Sequence, residues 1–128
     1  MQRVHGRAGQ LPPGLIEALA DAVRARLDLD YPRKDGTTNR AHLEQVERQT
    51  GEKMVEDPEI PPGGEWLWLA FWKLDAARGG NGFGPSALSF TEIDAWARLN
   101  GVSLAAWEVE AIRAMDRAAL EKVAELSK

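Results

Sequence analysis

The sequence predicts an all-α fold: a small single-domain helical bundle of about five helices, with a Gly/Pro-rich linker and a Gly-rich loop. Three observations carry that expectation. Apolar residues recur at helical spacing in several windows. No run of β-branched residues alternates with polar ones, so sheet is not expected. Five tryptophans sit in 128 residues, and three of them fall inside residues 65–78, a stretch that is apolar on nearly every side of a helix. Such a helix must be covered all round. Either it is the central helix of a compact bundle, or part of its surface awaits another protein.

At 128 residues one domain is the default, and the chain divides as follows. Residues 1–12 read as a flexible leader, and residues 13–128 as one helical domain. Within it, 13–51 form an N-terminal helical pair, 52–64 a linker and 65–128 a Trp-rich helical core. Pro12, Pro13 and Gly14 break the chain. After them Leu15, Ile16, Leu19, Ala22, Val23 and Leu27 follow the i, i+3/i+4 rule, which gives a helix over 15–27. Residues 28–38 hold Pro32, Asp35 and Gly36 and read as loop. Asn39 is placed to cap a short helix over 40–49, with Leu43 and Val46 inward and Gly51 as its stop.

Residues 52–64 are acidic and rich in Pro and Gly. The Trp-rich helix follows, with Glu65 in its first turn and Lys73 and Arg78 near its end, charges that suit the helix dipole. Residues 79–88 contain too many glycines to continue it. Ser89 and Glu92 match a capping box, with Thr91 as a rival cap. They open a short helix with Ile93, Ala95, Trp96 and Leu99 as its apolar positions, ended by Asn100 and Gly101. Ser103 is the expected cap of the last helix, whose stripe runs through Leu104, Trp107, Ala111, Ile112, Met115, Ala119, Val123 and Leu126.

Composition excludes several function classes. The net charge is −4, which disfavours nucleic-acid binding. The basic residues Arg24, Arg26, Arg33, Lys34 and Arg40 are interleaved with Asp21, Asp28, Asp30 and Asp35, as on a solvated mixed face. Cys is absent, which removes disulfides and thiolate metal sites. The apolar run breaks at Lys73 and Asp75, well short of the roughly 18 residues a membrane span needs. Gly79–Gly84 lacks the Lys-Ser/Thr of a phosphate loop, and Gly84-Pro85-Ser86-Ala87-Leu88 lacks the second Gly of a nucleophile elbow. His5 and His42 stand apart, with no metal-ligand spacing. The expectation is a protein with no catalytic residues, no metal, no cofactor, and neither nucleic acid nor membrane as partner.

The aromatics therefore carry the functional reading. On 3.6-residue geometry Trp68 and Trp72 share a face, while Trp66 lies about 160° from Trp68. Trp96 and Trp107 are placed to close over one of those faces. Most of the five belong in a core, and tryptophan is also enriched where proteins bind one another. The candidate partner-binding residues are Trp66, Trp68, Trp72, Phe83, Trp96 and Trp107, with Trp66 or Trp68 the first choice for a partner-facing side chain.

One pattern goes further. After a Pro-Gly entry come Leu67, Trp68, Phe71, Trp72, Leu74 and Arg78, then a Gly-rich turn. Pro85, Leu88, Glu92, Ile93, Ala95, Trp96, Leu99 and Gly101 follow, and then Leu104, Trp107, Glu108, Ala111, Ile112, Asp116 and Leu120. This order resembles tail assembly chaperones of long-tailed bacteriophages and prophages, and residues 39–51 look like the segment that precedes it there. Where such proteins often carry Asn-Pro-Ile after the Gly-rich turn, this chain has Pro85-Ser86-Ala87-Leu88. The resemblance implies a non-enzymatic protein of the host bacterial cytoplasm, absent from the mature virion. Its implied partners are the tape measure protein and tail tube subunits, with self-association as a further option. The alternatives are a structural tail or connector component of the virion and a small regulatory protein that binds a host factor.

Overall fold

The computed structural model describes residues 13–79 and 85–128. They form a small all-α domain of five helices: α1 (Leu15–Asp30), α2 (Asn39–Thr50), α3 (Glu65–Ala76), α4 (Phe90–Leu99) and α5 (Ala106–Leu126). The described residues contain no strand. The leader expected at 1–12 and Phe83 in the Gly-rich loop lie outside the described residues.

The longest helices, α1 and α5, pack on each other most extensively; α3 lies on α5, and α2 mainly on α1. The core is one contiguous cluster. Leu15, Leu19 and Val23 come from α1, Leu67, Phe71 and Leu74 from α3, and Ala111, Ile112, Met115 and Ala119 from α5. Leu88 and Ile93 close it from the α4 side. The chain enters α3 pressed against α1. Gly64 is buried, and a Cβ there would lie 3.0 Å from Leu19 Cδ2 and 3.2 Å from Leu15 Cδ1. A glycine at this position lets the two helices approach.

Several boundaries differ from the expected ones, each for a physical reason. Helix α1 runs three residues past Leu27, because Leu29 is buried and Arg26 pairs with Asp30 at 3.0 Å across the added turn. The cap of α2 is Thr38, whose hydroxyl accepts the Ala41 N–H at 3.1 Å. Asn39 instead donates its side-chain amide to the Asp28 carbonyl at 2.7 Å. Gly51 does end α2, in the left-handed conformation (φ 77°) that glycine adopts without strain. Leu43 and Val46 are only half-buried, and α2 has no buried residue at all.

Ser89 and Glu92 form the expected capping box and exclude Thr91 as the cap. The last helix starts later than expected. Ala105 is its N-cap, and the Glu108 carboxylate accepts the Ala105 N–H at 2.7 Å, so the acid three residues in does the work assigned to Ser103.

Candidate partner-binding surface

On α3 the core side is carried by Leu67, Ala70, Phe71 and Leu74. These four sit within about 100° of one another at 100° per residue. The tryptophans stand on either flank of that sector. All three are half-buried and packed against the core rather than within it. Trp66, on one flank, meets Trp96 of α4 with ring centroids 6.0 Å apart. Trp68 and Trp72, on the other, meet edge to face at 5.4 Å, and Trp72 also meets Phe71 at 5.0 Å. The Arg26 guanidinium lies 5.1 Å from the Trp72 ring and shields its outer side. Trp107 is likewise half-buried on α5. The indole N–H groups of Trp72 and Trp107 are buried without a hydrogen-bond partner among the described residues.

The structure thus splits the six candidates. Trp66 and Trp96 come together at the α3/α4 seam. Trp68 and Trp72 form a second cluster, and Trp107 belongs to neither pair. No candidate that is described is more than half-exposed. The most exposed large apolar side chains are ones that sequence reasoning passed over: Leu99 at 87%, Leu69 at 61%, Phe90 at 60% and Met54 at 42%. Phe90 is partly occupied, with the Arg113 guanidinium 4.3 Å from its ring. Leu69 and Leu99 have special positions. Leu69 is three residues after Trp66, and Leu99 is three after Trp96. On each helix this offset places the leucine one step outward from the tryptophan, away from the core. The contacting pair Trp66–Trp96 therefore fills the seam, and an open leucine flanks it on each helix. A helical wheel sets Leu69 about 140–160° from Leu67, Phe71 and Leu74 and Leu99 about 120–160° from Ile93 and Ala97, but which face is covered depends on the other helices.

On the other face of α4 from Trp96 and Leu99, α4 and the start of α5 form a cleft of about 440 Å³, lined by Phe90, Ile93, Ala97, Val102, Leu104 and Val109 among others. It is mostly apolar, with the Asp94–Arg98 pair (3.0 Å) at its edge.

A buried polar knot fixes the ends of the Gly-rich loop. Arg78 does more than place a charge at the end of its helix; its side chain is largely covered, and its guanidinium pairs with the buried Asp116 of α5. The same guanidinium donates to the Ser86 carbonyl at 2.8 Å and to Asp75 at 3.0 Å. The other oxygen of Asp116 accepts the Leu88 N–H at 2.9 Å. One ion pair thus ties residue 78, residues 86–88 and α5 together, with its hydrogen-bonding capacity largely filled. Arg78 and Asp116 both stand in the sequence pattern quoted above. Their role there is structural, since every neighbour is a backbone group or a charge of the protein itself.

Among the described residues no cluster of His, Asp and Glu could hold a metal ion, and no helix is long and apolar enough to cross a membrane. Residues 43–121, more than half of the chain, match the phage tail assembly chaperone family. The chain belongs to that family. The matched span runs from within α2 through most of α5, so the α3/α4 seam, the cleft and the Arg78–Asp116 knot all lie inside it. No curated protein and no solved structure matches the chain.

Proposed function

We propose that this chaperone-family protein binds the tape measure protein during tail assembly, holds its helical segments soluble and assists the tail tube subunits in assembling around it, without catalysis. The observation that carries the reading is the α3/α4 seam. Leu69 and Leu99 stand exposed on either side of the Trp66–Trp96 pair, and among the other large apolar side chains described only Phe90 and Met54 are exposed as well. An amphipathic client helix can lay its apolar stripe along such a seam. A long helical client offers the same stripe many times, so weak individual contacts by many copies sum to firm coverage. The protein would act in the host bacterial cytoplasm and leave before the virion is complete.

The test is coexpression. The tape measure protein, produced with this chain, is expected to stay soluble and to co-purify with it, and to aggregate when produced alone. Folded protein that fails to associate at micromolar concentration would remove the reading. Mass spectrometry of purified particles separates this role from that of a structural tail component, which would be found there.

A further inference from the structure

Residues 38–60 differ from the rest of the domain in what holds them. Helix α2 fully buries no side chain, Leu43 and Val46 being half-buried, and between Tyr31 and Gly63 the single buried residue is Val55. No residue of this stretch belongs to the contiguous core or packs against it; Val55 and Leu29 are buried outside that cluster. The ties are polar instead. Arg40 makes a two-pronged bond to Asp30, Nε to Oδ1 at 2.7 Å and Nη2 to Oδ2 at 3.2 Å. The same guanidinium pairs with Asp57 from the far end of the stretch. Asn39 holds the Asp28 carbonyl at 2.7 Å. The Glu47 carboxylate accepts the N–H groups of Met54 and Val55 at 2.7 and 2.8 Å, which folds the segment after α2 back onto it. All the bonds to α1 fall on its final turn, residues 28–30, where Leu29 is buried.

We infer that α2 and residues 51–60 form one flap that swings off the end of α1 as a unit while the core stays folded, with Arg40 as the latch between Asp30 and Asp57. A segment without core contacts opens at lower free energy than the domain as a whole. Its closure depends on charge-assisted bonds that are partly exposed, so salt weakens it. Glu47 makes the flap rigid internally, and Arg40 makes it closed. The inference concerns the fold alone and stands whether or not a tape measure protein is the client.

Native-state amide hydrogen exchange on the full chain tests it. In the wild type, amides of residues 42–50 and 54–55 are expected to exchange faster than those of residues 112–119 in α5. Raising salt from about 0.05 M to about 0.5 M is expected to speed the first group and leave the second unchanged. Arg40→Gln is expected to speed the flap amides by about tenfold or more, the loss of a charged hydrogen bond, with α5 again unmoved. Arg98→Gln, which breaks the exposed pair with Asp94, is the control and is expected to leave the flap alone. Equal exchange in flap and α5, or a joint shift of both in Arg40→Gln, would show a single cooperative unit and overturn the inference. So would flap amides indifferent to both salt and Arg40→Gln. If Arg40→Gln fails to fold, the wild-type salt series decides the matter.

Discussion

Replacing Leu69 and Leu99 together by Ser is the sharpest test of the seam. Complete burial of a leucine is worth about 2 kcal/mol. In the free protein Leu69 is 61% and Leu99 87% exposed. Full cover by a client would therefore gain about 1.2 kcal/mol at the first and about 1.7 kcal/mol at the second, close to 3 kcal/mol in all. At about 1.4 kcal/mol per decade that corresponds to a loss of about 100-fold in affinity. Stability is expected to move by about 0.5 kcal/mol or less, because neither side chain supports the core. Leu67→Ala gives the contrast: the same helix, but a buried side chain, with an expected loss of about 2–5 kcal/mol in stability. The assay is fluorescence anisotropy with a labelled tape measure segment, with urea unfolding as the control for fold. A double variant with the native urea midpoint that binds within about threefold of the parent would refute the reasoning, since the exposed area would then not be the area that is covered.

Three further outcomes are expected. Asp116→Ala removes one of the two carboxylates on Arg78 and strands the Leu88 N–H, so the urea midpoint should fall by the equivalent of about 1–3 kcal/mol; adding Arg78→Met should recover part of it. Ser89→Ala removes one half of the capping box and should cost about 1 kcal/mol, read in the same titration, with faster amide exchange in the first turn of α4. The third concerns acid. Hydrogen bonding from Arg40 holds the carboxyls of Asp30 and Asp57 below the ordinary range, and the Val55 and Met54 N–H groups do the same for Glu47. A carboxyl depressed in the folded state binds its proton more readily when released. Its contribution is thus complete above the ordinary carboxyl value and is lost as pH falls through the folded one. Amide protection of residues 42–55 is accordingly expected to be flat from about pH 8 to about pH 5 and to fall below about pH 4. Loss of protection on raising pH within that range would contradict the assignment.

Much of the architecture was written into local patterns. The period of 3.6 in residues 15–27 and in the stripe from Trp107 to Val123 placed α1 and α5, because burial on one face selects residues at that spacing whatever the partner. Ser89 with Glu92 and the glycine at 51 marked helix ends by chemistry confined to four or five residues. The family resemblance rested on the same local order of Trp, Gly and Leu, and the family match confirms it. Periodicity faltered where a polar side chain served something distant. Arg78 looked like a charge for the end of its own helix, yet its partner Asp116 is 38 residues away. Thr38 and Asn39 are both good caps, and what separated them was the Asp28 carbonyl on another helix, which Asn39 bonds.

The sequence by itself determined that the chain is helical, where most helices lie, and that α3 carries more aromatic surface than one stripe can bury. Those properties depend on neighbours within a turn or two. Only the tertiary structure decided which of those aromatics face inward, that Leu69 and Leu99 rather than Trp68 stand open, and that α2 rests on ion pairs instead of on the core. Exposure is a property of what other helices cover. The crossing of α3 with α4 and α5 is set by side chains tens of residues apart, which no local pattern encodes.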